Sequence, residues 1–344
     1  MLSITREDIL TSDVTFNQSS RDIFHADSKR LLVSAINATL PKPKQPLYEL
    51  ARAHFERHGK LLRAVSSLSV SEAIGLERQC ALSWSVACEL LHNASLIHDD
   101  ICDEDLERRG RETIAKKYGV PSAICFGDWL ISKALDCATR ASRHSHACSA
   151  DVIDYFSSGL KTLTEAQSRE FDGTQFLNWN EYEEVVDGKT LPLLLLAFEG
   201  PFVLSKGLET DKIAIRDVCV HLSRAYQILN DVDDFVIDES GTVFSNDLKR
   251  RAPSAMVISF CDSLVNGNKL KFETWFLEKS TEELNVWAKK IMESSAQDVC
   301  IEKVKYHIEQ YGRLKCGMSR AVSEALDPWV TFIDSKYATL SAAT

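Results

Sequence analysis

The sequence predicts an all-α protein: a large single-domain antiparallel helical bundle spanning residues 1–344. Three observations lead there. Strand signatures are scarce. Apolar residues recur at helical spacing through several long stretches. No compositional shift, internal repeat or low-complexity tract divides the chain, so one core of packed helices is the simplest account.

The clearest helix runs from Gly75 to Asp103, with Ala81, Trp84, Ala87 and Leu91, then Ser95 and Ile97, in a helical pattern. Residues 151–170, 181–204, 211–238, 274–295 and 300–326 read as further helices. Leu191–Leu204 is almost wholly apolar, interrupted by Pro192, Glu199, Gly200 and Pro201. A surface helix would show a polar stripe, so this one is expected to run through the middle of the fold. Breaks fall at Pro41–Pro43, Gly110, Gly119–Pro121 and the polar connection Asp238–Pro253, which contains Gly241, Ser245, Asn246 and Asp247.

An apolar fraction of 44%, with only 14 glycines and 8 prolines, describes an ordered globular chain. The net charge of −10 disfavours a general attraction to nucleic acid or anionic lipid. A phosphate-bearing substrate therefore needs a local basic patch or bound cations. Ten scattered cysteines with no CxxC pair fit reduced thiols better than a disulfide framework. No signal-type apolar run opens the chain, and Glu199 interrupts the best candidate for a membrane span. A cytoplasmic protein without a spanning segment is expected.

Two acidic clusters carry the chemistry. In HNASLIHDDICDEDLERRG, Asp99 and Asp103 are four apart and share a helical face, with Asp100 about 100° away. In YQILNDVDDFVID, Asn230, Asp234 and Asp238 share a face on a continuous helix and Asp231 flanks it. Each cluster ends an apolar helical stretch. Carboxylates gathered this closely repel one another unless cations compensate them. Mg²⁺ prefers oxygen ligands and bridges to phosphate, so facing acidic helices suit a metal–diphosphate site. The plainer alternative is two solvated helix ends.

Basic groups bracket these clusters. Lys60 and Arg63 lie within one helical turn, Arg108 and Arg109 follow the first cluster, Lys189 and Thr190 precede the apolar helix, and Lys249, Arg250 and Arg251 follow the second cluster. Arginine grips phosphate oxygens as a fixed fork, lysine as a compact charge. Singly, each is more often a surface solubiliser. His92, two turns before Asp99, and Gln227, three residues before Asn230, are further polar candidates, though packing polarity accounts for either.

Together these motifs resemble the trans-isoprenyl diphosphate synthase, or polyprenyl synthetase, family over roughly residues 55–255. Asp99, Asp100 and Asp103 match the first DDxxD motif, Arg108 and Arg109 the RRG element, and Gly59, Lys60 and Arg63 the GKxxR element. Gly127–Asp128, Gln175 and Lys189–Thr190 fall in register, and Asn230, Asp231 and Asp234 match the second acidic motif. The resemblance implies an isoprenoid synthase-type bundle, a homodimer, and about three Mg²⁺ ions in the substrate-bound state. It implies that Asp99, Asp100, Asp103, Asn230, Asp231 and Asp234 hold the metal. Arg108, Lys189, Thr190, Gln227 and Lys249 or Arg250 would face an allylic prenyl diphosphate, and Lys60, Arg63, His92 and Arg109 would receive isopentenyl diphosphate. Three departures stand out: His58 replaces a glycine, Asn178 an aspartate, and Asn230 the first aspartate of the second motif.

The leading reading is chain elongation: ionisation of the allylic diphosphate, attack by the isopentenyl double bond, then proton loss. A class I terpene cyclase also matches the Asn230, Asp234, Asp238 spacing but needs no second diphosphate site. Irregular coupling of two allylic diphosphates is a further alternative, since such relatives carry NDxxD, and a non-catalytic partner subunit is the fourth. Leu91, Ala94 and Ser95 lie eight, five and four residues before Asp99. By resemblance, bulky aromatics at these positions stop elongation early and small residues allow products of C20 or longer, with C15 as the competing outcome.

Overall fold

The computed structural model describes residues 18–108, 110–169, 178–205, 209–278 and 282–341. Its helices run in chain order as α1 (Gln18–Thr39), α2 (Tyr48–Phe55), α3 (Leu62–Ala73), α4 (Arg78–Cys102), α5 (Ile114–Tyr118), α6 (Val120–Arg143), α7 (Ser149–Arg169), α8 (Trp179–Lys189) and α9 (Leu191–Phe198). Then come α10 (Gly200–Leu204), α11 (Glu209–Asp233), α12 (Asn246–Arg250), α13 (Ala255–Ser263), α14 (Asn266–Leu277), α15 (Leu284–Met292), α16 (Ala296–Leu314), α17 (Arg320–Ala325) and α18 (Asp327–Ser341). Two small antiparallel ladders interrupt them: β1 (Glu107–Arg108) with β2 (Arg111–Glu112), and β3 (Val236–Ile237) with β4 (Val243–Phe244). The protein is an all-α bundle in which α4 packs along α6 and α3, and α11 along α16, α9 and α8. No described helix is long and apolar enough to cross a membrane, and all ten cysteines are free thiols.

The stretch expected as one helix over 181–204 is three. Pro192 and Pro201 each lack the N–H that a continuing helix needs, and their rings clash with the carbonyl four residues back. The chain therefore restarts at Leu191 and again at Gly200. As expected, α9 is buried at Leu193, Leu194, Leu196, Ala197 and Phe198. Leu194, Ala197 and Phe198 join one apolar cluster with α11, α13, α16 and α18. Leu193 and Leu196 join the other, with α3, α4, α6 and α7. Glu199, at the break, is 1% exposed. It accepts hydrogen bonds from Arg216, at 2.7 Å for the shortest contact, and from the Tyr155 hydroxyl at 3.2 Å.

Close packing uses glycine at three places, one of them Gly188, where a Cβ would collide with that of Ala166. A Cβ on Gly200 would collide with the Trp84 ring, which is fully enclosed and donates its indole N–H to the Leu196 carbonyl at 2.8 Å. A Cβ on Gly127 would collide with His98, so the α4–α6 contact depends on the bare glycine surface.

The second acidic segment departs from expectation. α11 ends at Asp233, and the chain turns into the β3–β4 hairpin with Gly241 at φ +80°. Asp238 lies in that hairpin, where its carboxylate accepts from the backbone N–H groups of Ser240 and Thr242 at 2.9 Å each. It does not share a helical face with Asn230 and Asp234. Such local turn chemistry competes with helix continuation for Asp side chains.

Candidate active site

α4 and α11 present their C-terminal ends to a cavity of about 810 Å³. Helical geometry persists just past α4: the Asp103 N–H donates to the Asp99 carbonyl at 2.8 Å, keeping both side chains on one face. Both line the cavity, as do Arg63, His92, Ser95, Arg108, Lys189, Thr190, Gln227, Asn230, Asp231, Asp234 and Arg250. Residues as far apart in the chain as Arg63 and Arg250 are thus brought to one wall. Arg109 and Gln175 lie outside the described residues.

Three expected groups stand away from the cavity wall. Asp100 is buried, and its carboxylate accepts from Arg108 Nε. Burial raises its pKa to about 6 against the opposing pull of Arg108. The same contact holds the Arg108 guanidinium in place. Lys249 is exposed, whereas Arg250 enters the cavity, because Ser245 caps α12 and sets its phase. Lys60 is exposed with its ammonium 3.9 Å over the Phe332 ring. Of the residues expected to set product length, Ser95 lines the cavity, while Leu91 and Ala94 are packed inside the core at 1% and 0% exposure.

Cations and carboxylates pair across the cleft. Arg250 lies 2.6 Å from Asp103, 3.7 Å from Asp105 and 2.8 Å from Asp247. Arg63 is buried, contacts the His92 ring nitrogen at 3.3 Å, and lies 5.2 Å from the Trp329 ring centre and 5.8 Å from that of Tyr226. This second basic corner sits beside the acidic helices and can receive an additional anion.

A polar chain fixes the second cluster. The Thr190 hydroxyl donates to Gln227 Oε1 at 3.0 Å, and Gln227 Nε2 donates to Asp231 at 2.8 Å. Asp231 also accepts from the Tyr182 hydroxyl and the Ala255 N–H, each at 2.8 Å. Burial raises its pKa to about 6 despite these donors. Asp234 accepts from Ser245 Oγ at 2.5 Å and from the N–H groups of Asn246 at 3.2 Å and Asp247 at 3.0 Å. Asn230 Oδ1 accepts from Lys336 Nζ, on α18, at 3.1 Å. Sequence reasoning missed Tyr182, Asp247 and Lys336. Asp247 alone had a local signal, an acid just ahead of the basic run.

These facts bear on a metal. Asp99 and Asp103 are hard oxygen donors on one face beside arginines that can hold phosphate, so the first cluster fits Mg²⁺ bridged to a diphosphate. Among the described residues no three His, Cys, Asp or Glu side chains gather tightly enough to hold an ion alone. Much of an ion's shell would come from substrate and water. At the second cluster, most carboxylate lone pairs already serve protein donors.

The profile of the family described as Polyprenyl synthetase matches residues 44–293. The chain belongs to that family. Geranylgeranyl diphosphate synthase of Sulfolobus acidocaldarius is 30% identical over 233 residues, 66% of this chain and 69% of that one. Geranylgeranyl pyrophosphate synthase of Geoglobus acetivorans is 29% identical over 294 residues, 82% and 88% of the two chains. The crystal structure of geranylgeranyl pyrophosphate synthetase from Pyrococcus horikoshii Ot3 superposes with a TM-score of 0.77 at 27% identity, covering 92% of this chain and 99% of that one. This polyprenyl synthetase is accordingly a trans-prenyltransferase, acting on prenyl diphosphates to make polyprenyl diphosphates.

Proposed function

We propose that this enzyme condenses an allylic prenyl diphosphate with isopentenyl diphosphate, releasing pyrophosphate and forming a prenyl diphosphate of C20 or longer. The observation that carries the reading is one cavity holding Asp99 and Asp103 opposite Arg250, with the Arg63–His92 corner beside them. Those are two anion-binding positions, as a two-diphosphate reaction needs. Bound Mg²⁺ would supply Lewis-acid stabilisation of the leaving pyrophosphate. Asp99 and Asp103 would hold the metal, while Arg108, Lys189 and Arg250 grip the allylic diphosphate and offset charge on the departing oxygens. Arg63 and His92 orient the isopentenyl diphosphate so that its double bond faces the allylic carbon. The pyrophosphate itself can accept the final proton. Leu96, Leu163 and Leu193 form an apolar wall, beside which α4 presents the small Ser95 side chain. That wall supports a long product, and a homodimer is part of the same reading.

The test is incubation of purified protein and Mg²⁺ with dimethylallyl, geranyl or farnesyl diphosphate, each with and without isopentenyl diphosphate, followed by product mass. Elongation to C20 or beyond only in the presence of isopentenyl diphosphate is expected. Products formed from the allylic substrate alone would establish cyclisation or irregular coupling instead.

A further inference from the structure

The C-terminal helix reaches into the site from the far end of the chain. α18 packs on α11 and α3, and Trp329, Phe332 and Lys336 recur along it at three- and four-residue spacing, one face of a helix. Trp329 and Phe332 enclose Tyr226, with ring centres 5.1 and 6.0 Å away. One turn further, the Lys336 ammonium donates to Asn230 Oδ1 at 3.1 Å and pairs with the Asp233 carboxylate. The lysine side chain is 22% exposed and reaches the cavity through Asn230, which lines it.

We propose that Lys336 is the resident cation of the second acidic helix, positioned by Asn230 and Asp233 to donate to the allylic diphosphate in place of one divalent ion. The inference rests on the prenyl diphosphate reading above. Charge carries the argument. Counted with the neighbouring Asp233 carboxylate, a neutral amide holding an ammonium carries the same net charge, zero, as a carboxylate holding a divalent ion, so the exchange conserves charge. An asparagine also keeps an oxygen acceptor for the lysine without adding a second anion beside Asp231 and Asp234, whose lone pairs already serve Tyr182, Ala255, Ser245 and Asp247. Ammonium carries three donors. Asn230 and Asp233 engage two of them, leaving the third for a phosphate oxygen or a bridging water.

Inorganic pyrophosphate and Mn²⁺ test this without turnover. Pyrophosphate affinity is read by calorimetry, and bound Mn²⁺ per chain by electron paramagnetic resonance, with circular dichroism confirming each fold. Lys336→Met should weaken pyrophosphate binding by about tenfold or more, as loss of a charge-assisted contact does, and Lys336→Arg should restore most of it. The double variant Asn230→Asp, Lys336→Met should bind one more Mn²⁺ per chain than the parent. Parental pyrophosphate affinity in Lys336→Met, or no additional ion in the folded double variant, overturns the lysine's role alone. Failure of the parent to bind pyrophosphate at saturating Mn²⁺ overturns the prenyl diphosphate reading, and this inference with it.

Discussion

Arg250 Nη1 lies 2.6 Å from an Asp103 carboxylate oxygen, tying the first acidic cluster to the short helix that follows the second. The same guanidinium reaches Asp247 at 2.8 Å. Without ligand, Arg250 thus compensates carboxylates that would otherwise repel one another. Arg250→Met should tighten Mn²⁺ binding to substrate-free protein, because Asp103 is released. It should also raise KM for the allylic diphosphate by about tenfold or more as a phosphate contact is lost. A metal titration without substrate and steady-state kinetics check the two directions separately.

Asp99→Ala and Asp103→Ala should each lower kcat by at least about 100-fold at saturating Mg²⁺, equivalent to several kcal/mol of lost metal-assisted stabilisation. Both residues sit on the cavity wall rather than in the core, so folding should survive. Near-parental turnover in a folded Asp103→Ala protein would remove that carboxylate from the metal site.

Ser95→Phe should shorten the product, because Ser95 lines the cavity one turn below Asp99. Ala94→Phe is a different experiment. Ala94 is wholly enclosed, so overpacking should cost about 1–3 kcal/mol. Product mass and thermal melting separate the two effects: chain length should change in the first variant, and Tm should fall in the second.

Burial pushes the His307 pKa down to about 3, and burial lowers that of His221 as well; their Nδ1 atoms are 3.0 Å apart, so one donates and the other accepts. The unfolded chain takes up a proton near the ordinary histidine value of about 6.5, whereas the fold resists until far lower pH. Stability is therefore lost as pH falls from about 6.5 toward 3. Removing the titrating ring in His307→Gln should make stability fall less steeply over that range. Urea unfolding at pH 7.5 and 5.0 should show the gap between parent and variant narrowing by about 1–2 kcal/mol.

The first acidic cluster was legible because its two carboxylates lie one turn apart on a strongly periodic helix. The second was legible only as far as Asp234. Beyond it, Asp238 hydrogen-bonds its own turn, a local alternative that helical periodicity does not register. The choice between Lys249 and Arg250 depended on where a five-residue helix begins, which Ser245 decides. Tyr182 and Lys336 reach Asp231 and Asn230 from 49 and 106 residues away, separations at which a single sequence carries no pairing signal. The apolar run at Leu191–Leu204 showed that it is buried, but its prolines decided that it is two helices.

The helix α9 stands as a wall shared by two rooms. Leu194, Ala197 and Phe198 furnish one apolar cluster, and Leu193 and Leu196 the other. The apolar faces of α11 and α4 belong to these two clusters in turn, while their acidic ends meet in one cavity that Lys189 and Thr190 also line. Trimming either core would shift the partition and change the gap between the two acidic ends. Substitutions on the two sides should therefore be epistatic, with double variants departing from the sum of the singles although the residues never touch. Drift in one half of the enzyme is constrained by the volume of the other.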